Sequence, residues 1–211
     1  MNFFPIPHRI IEPEWLDSLP ADDPSARRSR RDLVLIDRLM GNTRWICRHL
    51  PPGNGIIELG AGNGRLARAA SRRGHDVTAM DLAPAPPNLA RPIRWVAGDF
   101  LRSLPDHSAP TVVGSLILHH FQNEELHRLG RLLDGRTRLV FAEPLRDALP
   151  LALSKLASPF VGRVTRHDML VSIRAGFLPG ELAAALALGP GWRISESPGP
   201  FGSLRFLAWK N

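Results

Sequence analysis

The stretch Ile56-Ile57-Glu58-Leu59-Gly60-Ala61-Gly62-Asn63-Gly64-Arg65-Leu66-Ala67 places an apolar run, glycines at every second position and a set of helix formers in immediate succession. A strand that ends in a glycine turn and feeds a helix presents backbone N–H groups and a positive helix end at the carboxyl edge of a sheet, where α/β proteins bind ligands. The spacing selects among ligands. A dinucleotide fingerprint needs G-x-G-x-x-G, and the position of its third glycine is held here by Arg65. The run is instead E-x-G-x-G-x-G, from Glu58 to Gly64.

Three further positions carry groups suited to a ligand at that edge. Asp81 closes the apolar run Val77-Thr78-Ala79-Met80, where a carboxylate can accept both hydroxyls of a ribose. Gly98-Asp99-Phe100 closes the next run, and Ser115-Leu116-Ile117-Leu118-His119-His120-Phe121 the one after. Histidine titrates near working pH, so His119 and His120 are candidate proton acceptors, as is His167 between Arg166 and Asp168. Structural alternatives stand beside these readings. Asp81 and Asp99 could each cap a helix, although beside the glycine run ligand contact is favoured. Glu58 could equally touch the ligand, form a structural ion pair or orient the glycine loop, and each histidine could be a packed structural residue.

The elements that must position these groups follow from periodicity. A polar, Pro-rich arm to about residue 28 precedes helical segments that run to Leu50, and Pro51-Pro52-Gly53-Asn54-Gly55 breaks them. Strands and helices then alternate: 55–59, 65–73, 76–80, 93–97, 111–118, 124–133 and 138–142. Such alternation predicts a parallel sheet wrapped by helices, with Ala83-Pro84-Ala85-Pro86-Pro87 as a loop. Leu149, Leu153, Leu156 and Phe160 fall at helical spacing, which predicts an apolar face packed on the core, or a lid or acceptor pocket beside the site. Thr165 to Phe177 reads as a capped helix, and Trp192–Ser195 and Leu204–Trp209 as two strands joined through Pro198–Gly202. Residues 1–50 are expected to form an arm and helical lid, and 51–211 a single globular unit.

The glycine run, Asp81, Asp99 and the His119-His120 strand end together resemble the class I S-adenosylmethionine-dependent methyltransferases over residues 53–143. The resemblance implies a Rossmann-like α/β fold: a seven-stranded, mostly parallel sheet with an antiparallel C-terminal hairpin and helices on both faces. It implies S-adenosyl-L-methionine as cofactor, bound by Glu58, Gly60, Ala61, Gly62, Gly64, Asp81, Leu82, Asp99, Phe100 and Ser115, with no metal. Methyl transfer would occur at Ser115–Phe121, with His119 and His167 ranked ahead of His120 as catalytic residues. The segments "SRRDLVLIDRLMGNTRW", "LHHF", "AEPLR" and "VTRHDMLVSIRAGF" are further similar to a bacterial group of small methyltransferases found with type III polyketide synthases, which implies a phenolic, quinonoid or polyketide-derived lipid acceptor modified on oxygen or carbon. Ser115-Leu116 departs from that group's pattern, where Asn and an apolar residue are expected.

Composition narrows the classes. With 211 residues and 44% hydrophobic content the chain can bury one sizeable core. No stretch approaches the roughly 20 apolar residues of a membrane span, the start has no charged and apolar leader, and the lone Cys47 cannot form an internal disulfide, so a cytoplasmic location is expected. A net charge of +7 attracts anionic partners, yet the basic residues are dispersed apart from Arg27-Arg28-Ser29-Arg30-Arg31. The alternatives to a small, hydrophobic methyl acceptor are therefore a nucleic-acid methyltransferase, disfavoured because Leu118-His119-His120-Phe121 stands where base-amine enzymes carry Asx-Pro-Pro-aromatic, and a non-catalytic S-adenosylmethionine-binding protein. The sequence fixes no oligomeric state.

Overall fold

A computed structural model describes residues 4–20, 22–53, 55–89 and 92–210; Asn54 of the predicted break and Met1, Asn2 and Phe3 of the arm lie outside the described residues. Helices α1 (Trp15–Ser18), α2 (Pro24–Met40) and α3 (Asn42–Arg48) lead into β1 (Ile56–Leu59), α4 (Arg65–Ser71), β2 (Val77–Asp81), β3 (Arg94–Ala97), α5 (Phe100–Ser103), β4 (Thr111–Ser115), α6 (Asn123–Leu133) and β5 (Arg138–Pro144). There follow α7 (Ala148–Ala157), α8 (Arg163–Ala175), α9 (Glu181–Leu186), β6 (Arg193–Pro198) and β7 (Ser203–Trp209). The sheet order is β3-β2-β1-β4-β5-β7-β6. Strands β1 to β5 pair in parallel, while β7 runs antiparallel to both β5 and β6, so the expected C-terminal hairpin inserts its second strand next to the parallel block.

Side-chain alternation along the strands feeds two cores. Ile57, Leu59, Val112 and Phe141 face a layer with Leu126, Leu129 and Leu182, whereas Ile56, Val113 and Val140 face Ile46, Leu66 and Ala70. Both faces are covered, which is why β1 is buried along its whole length. The strand order reverses between β1 and β4, and the crevice at that switch point is where the loops after the two strands part.

Local chemistry explains the element ends near this crevice. The Asp23 side chain accepts the Ser25 and Ala26 amides, with Pro24 in the first turn, so a carboxylate cap offsets the arginines that crowd the start of α2. Strand β4 stops at Ser115, three residues earlier than its apolar run predicts. Leu116 adopts φ +57°, which ends the extended backbone, and 118–120 close into a 3-10 turn.

The apolar face of α7 differs from expectation. Leu149, Leu156 and Phe160 are 51%, 72% and 82% exposed, so this stripe neither packs on the core nor lines the site. Periodicity finds a face without saying what lies against it, and here α7 rests on α8 while Pro150 and Ser154 are its buried residues.

Candidate active site

A cavity of about 280 Å³ opens at the switch point. Its floor is the end of β1 and the glycine loop, from Glu58 through Gly62, and its wall is Ser115, Leu116, His119 and His120 beyond β4. Glu14, just before α1, Asp17 of α1, and Leu33, Val34 and Asp37 of α2 close it from the N-terminal side. A larger cavity of about 890 Å³ lies under residues 7–11 beside α6 and α9, away from the glycine loop and both of these histidines.

The glycine loop needs its glycines for distinct reasons. A Cβ on Gly60 would fall 2.5 Å from Ile117 Cδ1, so the strand end can pass only without a side chain. Gly62, at φ +52°, has open space where its Cβ would project. Gly64, at φ +69°, is the residue from which α4 starts. The Gly62 amide donates to Asp81 Oδ2 at 2.7 Å and the Ala83 amide to Asp81 Oδ1 at 2.9 Å, so Asp81 locks the loop while each oxygen keeps a lone pair. Arg65, in place of a third dinucleotide glycine, pairs with Asp37 and donates to Thr43 Oγ1 at 2.8 Å, tying α2 across the mouth of the loop.

Glu58 lies against this loop, wholly buried. Burial pushes its carboxyl up to about 8, against the Ala67 backbone hydrogen bond, and nearby Asp81 pushes the same way. Its Oε2 has no hydrogen-bond partner. A buried acceptor without a partner at a cavity wall is costly unless a donor arrives from the ligand.

Beyond β4, Glu143 organises the other wall. Buried at the end of β5, it accepts the amides of Ile117 at 3.1 Å, Leu118 at 3.0 Å and His119 at 3.3 Å, and His119 Nδ1 at 2.9 Å. His119 Nε2 faces Glu14 Oε1 at 3.4 Å, and Ser172 donates to the same oxygen. Burial alone would lower His119, but its hydrogen bonds to Glu14 and Glu143 push it up to about 9, so it is an imidazolium at neutral pH. Burial, together with the adjacent His119 charge, pushes His120 down to about 4, which leaves it neutral. Burial would likewise raise the Glu14 carboxyl, yet its His119 hydrogen bond and both imidazoles hold it below the ordinary range. Glu14, His119 and His120 also bring one ligand atom each within 4.8 Å of one another, and are the described residues that could hold a divalent ion.

The arm is strapped over this wall. Asp168 accepts the amides of Trp15 at 2.9 Å and Leu16 at 3.1 Å, His167 stacks on Trp15 with centroids 3.8 Å apart, and the Arg9 guanidinium donates to the carbonyls of His119, Phe121 and Ala175. The structure therefore brings Glu58, Gly60, Ala61, Gly62, Ser115, His119 and His120 into one cavity, with Gly64 and Asp81 directly behind the loop. His167 lies outside it, its Nδ1 2.9 Å from Asp168 Oδ1. Asp99 caps α5 by accepting the Leu101 amide, Phe100 is packed in the core, and Leu82 is 80% exposed beside Asp81. Asp99 and Phe100 still follow β3 at the same edge, where Ala97 is paired with Asp81. Sequence reasoning missed Glu14, Glu143 and Arg9. Glu143 did carry a signal, a lone carboxylate in the apolar strand Arg138–Pro144.

Residues 57–139 match the family described as a methyltransferase domain. No curated protein matches the chain. Among solved structures, the pyocyanin biosynthetic protein PhzM superposes with a TM-score of 0.65 at 19% identity, over 93% of this chain and 61% of that one. The plantazolicin methyltransferase BamL, in complex with a triazolic desmethylPZN analog and SAH, gives 0.69 at 11% identity, covering 93% of each chain. The Burkholderia thailandensis 1,6-didemethyltoxoflavin-N1-methyltransferase, with 1,6-didemethyltoxoflavin and S-adenosylhomocysteine bound, gives 0.60 at 20% identity over 98% of this chain and 94% of that one. The chain thus spans about three fifths of the length of PhzM. The shared architecture is the Rossmann-like methyltransferase fold, and residues 57–139 of it carry the match to a methyltransferase domain.

The residues present fit S-adenosylmethionine, the cofactor that the sequence resemblance implies. Four carboxyl groups, Glu58, Glu14, Asp17 and Asp37, line the cavity against two cations, Arg65 and His119, and Glu58 can ionise toward a sulfonium or ammonium. The unpartnered Glu58 Oε2 suits an ammonium donor, and the open space at Gly62 admits a ligand against the backbone.

Proposed function

We propose that the chain methylates oxygen or carbon of a small aromatic acceptor whose hydroxyl is already acidic, a hydroxyquinone or electron-poor phenol such as a polyketide-derived lipid headgroup. The observation that carries this is a pair of adjacent imidazoles in the cavity, ring centroids 4.2 Å apart, in opposite protonation states. Bound S-adenosylmethionine supplies a methyl group already activated on sulfonium. The protein has then to align the acceptor and manage one proton.

Glu143 and Glu14 hold His119 as an imidazolium, which offsets the Glu14 carboxylate beside the negative charge that develops on the acceptor oxygen. Neutral His120, with its side chain 30% exposed, accepts the acceptor's proton. A base held near 4 is weak, and Brønsted reasoning matches it to an acidic hydroxyl better than to a simple phenol. Residues 1–50 serve as the lid over a 51–211 core, and Glu58, the glycine loop and Asp81 hold the cofactor. Two structural neighbours support a small acceptor: PhzM is named for pyocyanin biosynthesis, and the toxoflavin methyltransferase holds 1,6-didemethyltoxoflavin.

Turnover of a hydroxyquinone and of a simple phenol, followed by mass spectrometry across pH, tests the reading. The hydroxyquinone is the expected substrate, with activity rising through a limb near 4 and falling through one near 9, and a bound cation moving both downward. His120→Gln should lower turnover by roughly 10²–10⁴-fold and abolish the acidic limb. His119→Gln should abolish the alkaline one. Absence of product with either acceptor, or limbs unaltered in both variants, contradicts the proposal.

A further inference from the structure

Six of the eleven exposed large hydrophobics among the described residues lie on one side of the protein: Leu35 and Leu39 on α2, Leu149 and Leu156 on α7, and Phe160 and Phe201 in the turns that flank it. The face is continuous. The Gly162 amide donates to Asp32 at 2.8 Å, and a Cβ on Gly162 would sit 3.1 Å from Arg28, so the end of α7 meets the start of α2. At the other end Gly202 abuts Pro150, and Arg205 reaches the carbonyl of Met40, bringing the Phe201 turn between the start of α7 and the end of α2. None of the six lines either cavity.

The charges on these segments have one sign. Along α2 the exposed charged residues are Arg27, Arg28, Arg31 and Arg38; from 148 to 166 they are Lys155, Arg163 and Arg166. The acidic residues of α2 are turned inward: Asp37 is buried against Arg65, and Asp32 is taken up by Gly162 and Thr165. Cations framing protruding Leu and Phe side chains are the pattern of an interfacial surface, in which apolar groups enter the acyl boundary and Arg and Lys meet anionic headgroups. No helix among the described residues is long and apolar enough to cross a membrane, so attachment would be peripheral.

We propose that the α2–α7 face docks on an anionic lipid bilayer. The inner side of α2, at Leu33, Val34 and Asp37, lines the cavity while its outer side carries Leu35, Leu39 and Arg38. Docking there brings the lid helix against the phase in which a lipid acceptor would dissolve. The binding face itself does not depend on the methyltransferase reading.

Co-sedimentation of the full chain with phosphatidylcholine vesicles, and with vesicles containing phosphatidylglycerol, tests this directly. Binding is expected to the anionic vesicles only and to weaken as salt rises. Arg31→Gln, Arg38→Gln and Lys155→Gln together should lower partitioning by about a hundredfold, at about fivefold for each cation near the surface. Leu156→Ser with Phe160→Ser should lower it by about tenfold or more with the charge unchanged. Unshifted thermal melts establish that the exposed substitutions leave the fold intact. No binding to anionic vesicles at physiological salt overturns the proposal. So does wild-type partitioning of the Leu156 and Phe160 variant, or equal binding to soluble polyglutamate, which would point to an acidic protein partner instead.

Discussion

Glu58 offers the sharpest test of how the cavity receives its cofactor. With its carboxyl held at about 8, roughly 0.9 of the molecules carry the proton at pH 7. If a cofactor ammonium supplies the donor missing at Oε2, the carboxyl ionises on binding and nearly one proton is released. Ionising it at pH 7 costs about 1.4 kcal/mol, so affinity should rise close to tenfold from pH 7 toward and beyond pH 8 and then level off. The same group affects folding. A carboxyl raised from 4.5 to about 8 binds more protons folded than unfolded, so its stabilising contribution is full below 4.5 and is lost as pH rises through 8; the ligand should restore stability in that window. Calorimetric titration with S-adenosylmethionine in two buffers of different ionisation enthalpy reads the proton count directly. In Glu58→Gln the buffer dependence and the rise in affinity should both vanish. A wild type that releases no proton, or a Gln variant that releases as many, refutes the assignment of an ammonium to Glu58.

Two other perturbations separate ligand contact from scaffolding. Gly62→Ala should cost about 1–2 kcal/mol of stability for a side chain at φ +52° and should in addition weaken ligand-induced stabilisation in thermal melts, since its Cβ enters space open to the ligand; unchanged stabilisation would make the residue purely conformational. Asp168→Ala strands the Trp15 and Leu16 amides, a cost of about 1–3 kcal/mol, so proteolytic cleavage within the arm should quicken by roughly tenfold to a hundredfold while cofactor affinity changes less.

The half of the cavity built on the glycine loop was legible because it is local. One strand, one turn and one helix place Glu58 to Arg65, and their order in the chain is their order in space. The parallel sheet was legible for a similar reason, each apolar run being long enough to declare its period. The other half is assembled from residues 9–17, 116–120, 143 and 168–172, and no spacing encodes the approach of Glu14 to His119 across 105 positions. His167 shows the limit from the other side. Its flanking Asp168 suggested an oriented base, but that carboxyl is committed to the arm, and the ring stacks on Trp15. The α7 stripe shows a third limit, because a face of Leu and Phe looks the same in sequence whether it meets a core or something outside the chain.

Leu116 explains why the two imidazoles differ. Its left-handed backbone costs about 1–2 kcal/mol and would not persist unsupported. Two restraints hold it: its own amide donates to the Ala142 carbonyl at 2.8 Å, and the next three amides converge on the Glu143 carboxyl. Hydrogen bonds to a charged acceptor contribute about 1.5–3 kcal/mol each, enough together to outweigh the strain. Because the turn tightens there, consecutive residues leave it in different settings. His119 turns inward against Glu143, only 2% exposed, while His120 stays at the cavity wall without a hydrogen-bonded carboxylate of its own. The departure at Ser115-Leu116 thus sits at the bend that separates an imidazolium from a neutral imidazole, and the glutamate that ends β5 stabilises both the bend and the charge.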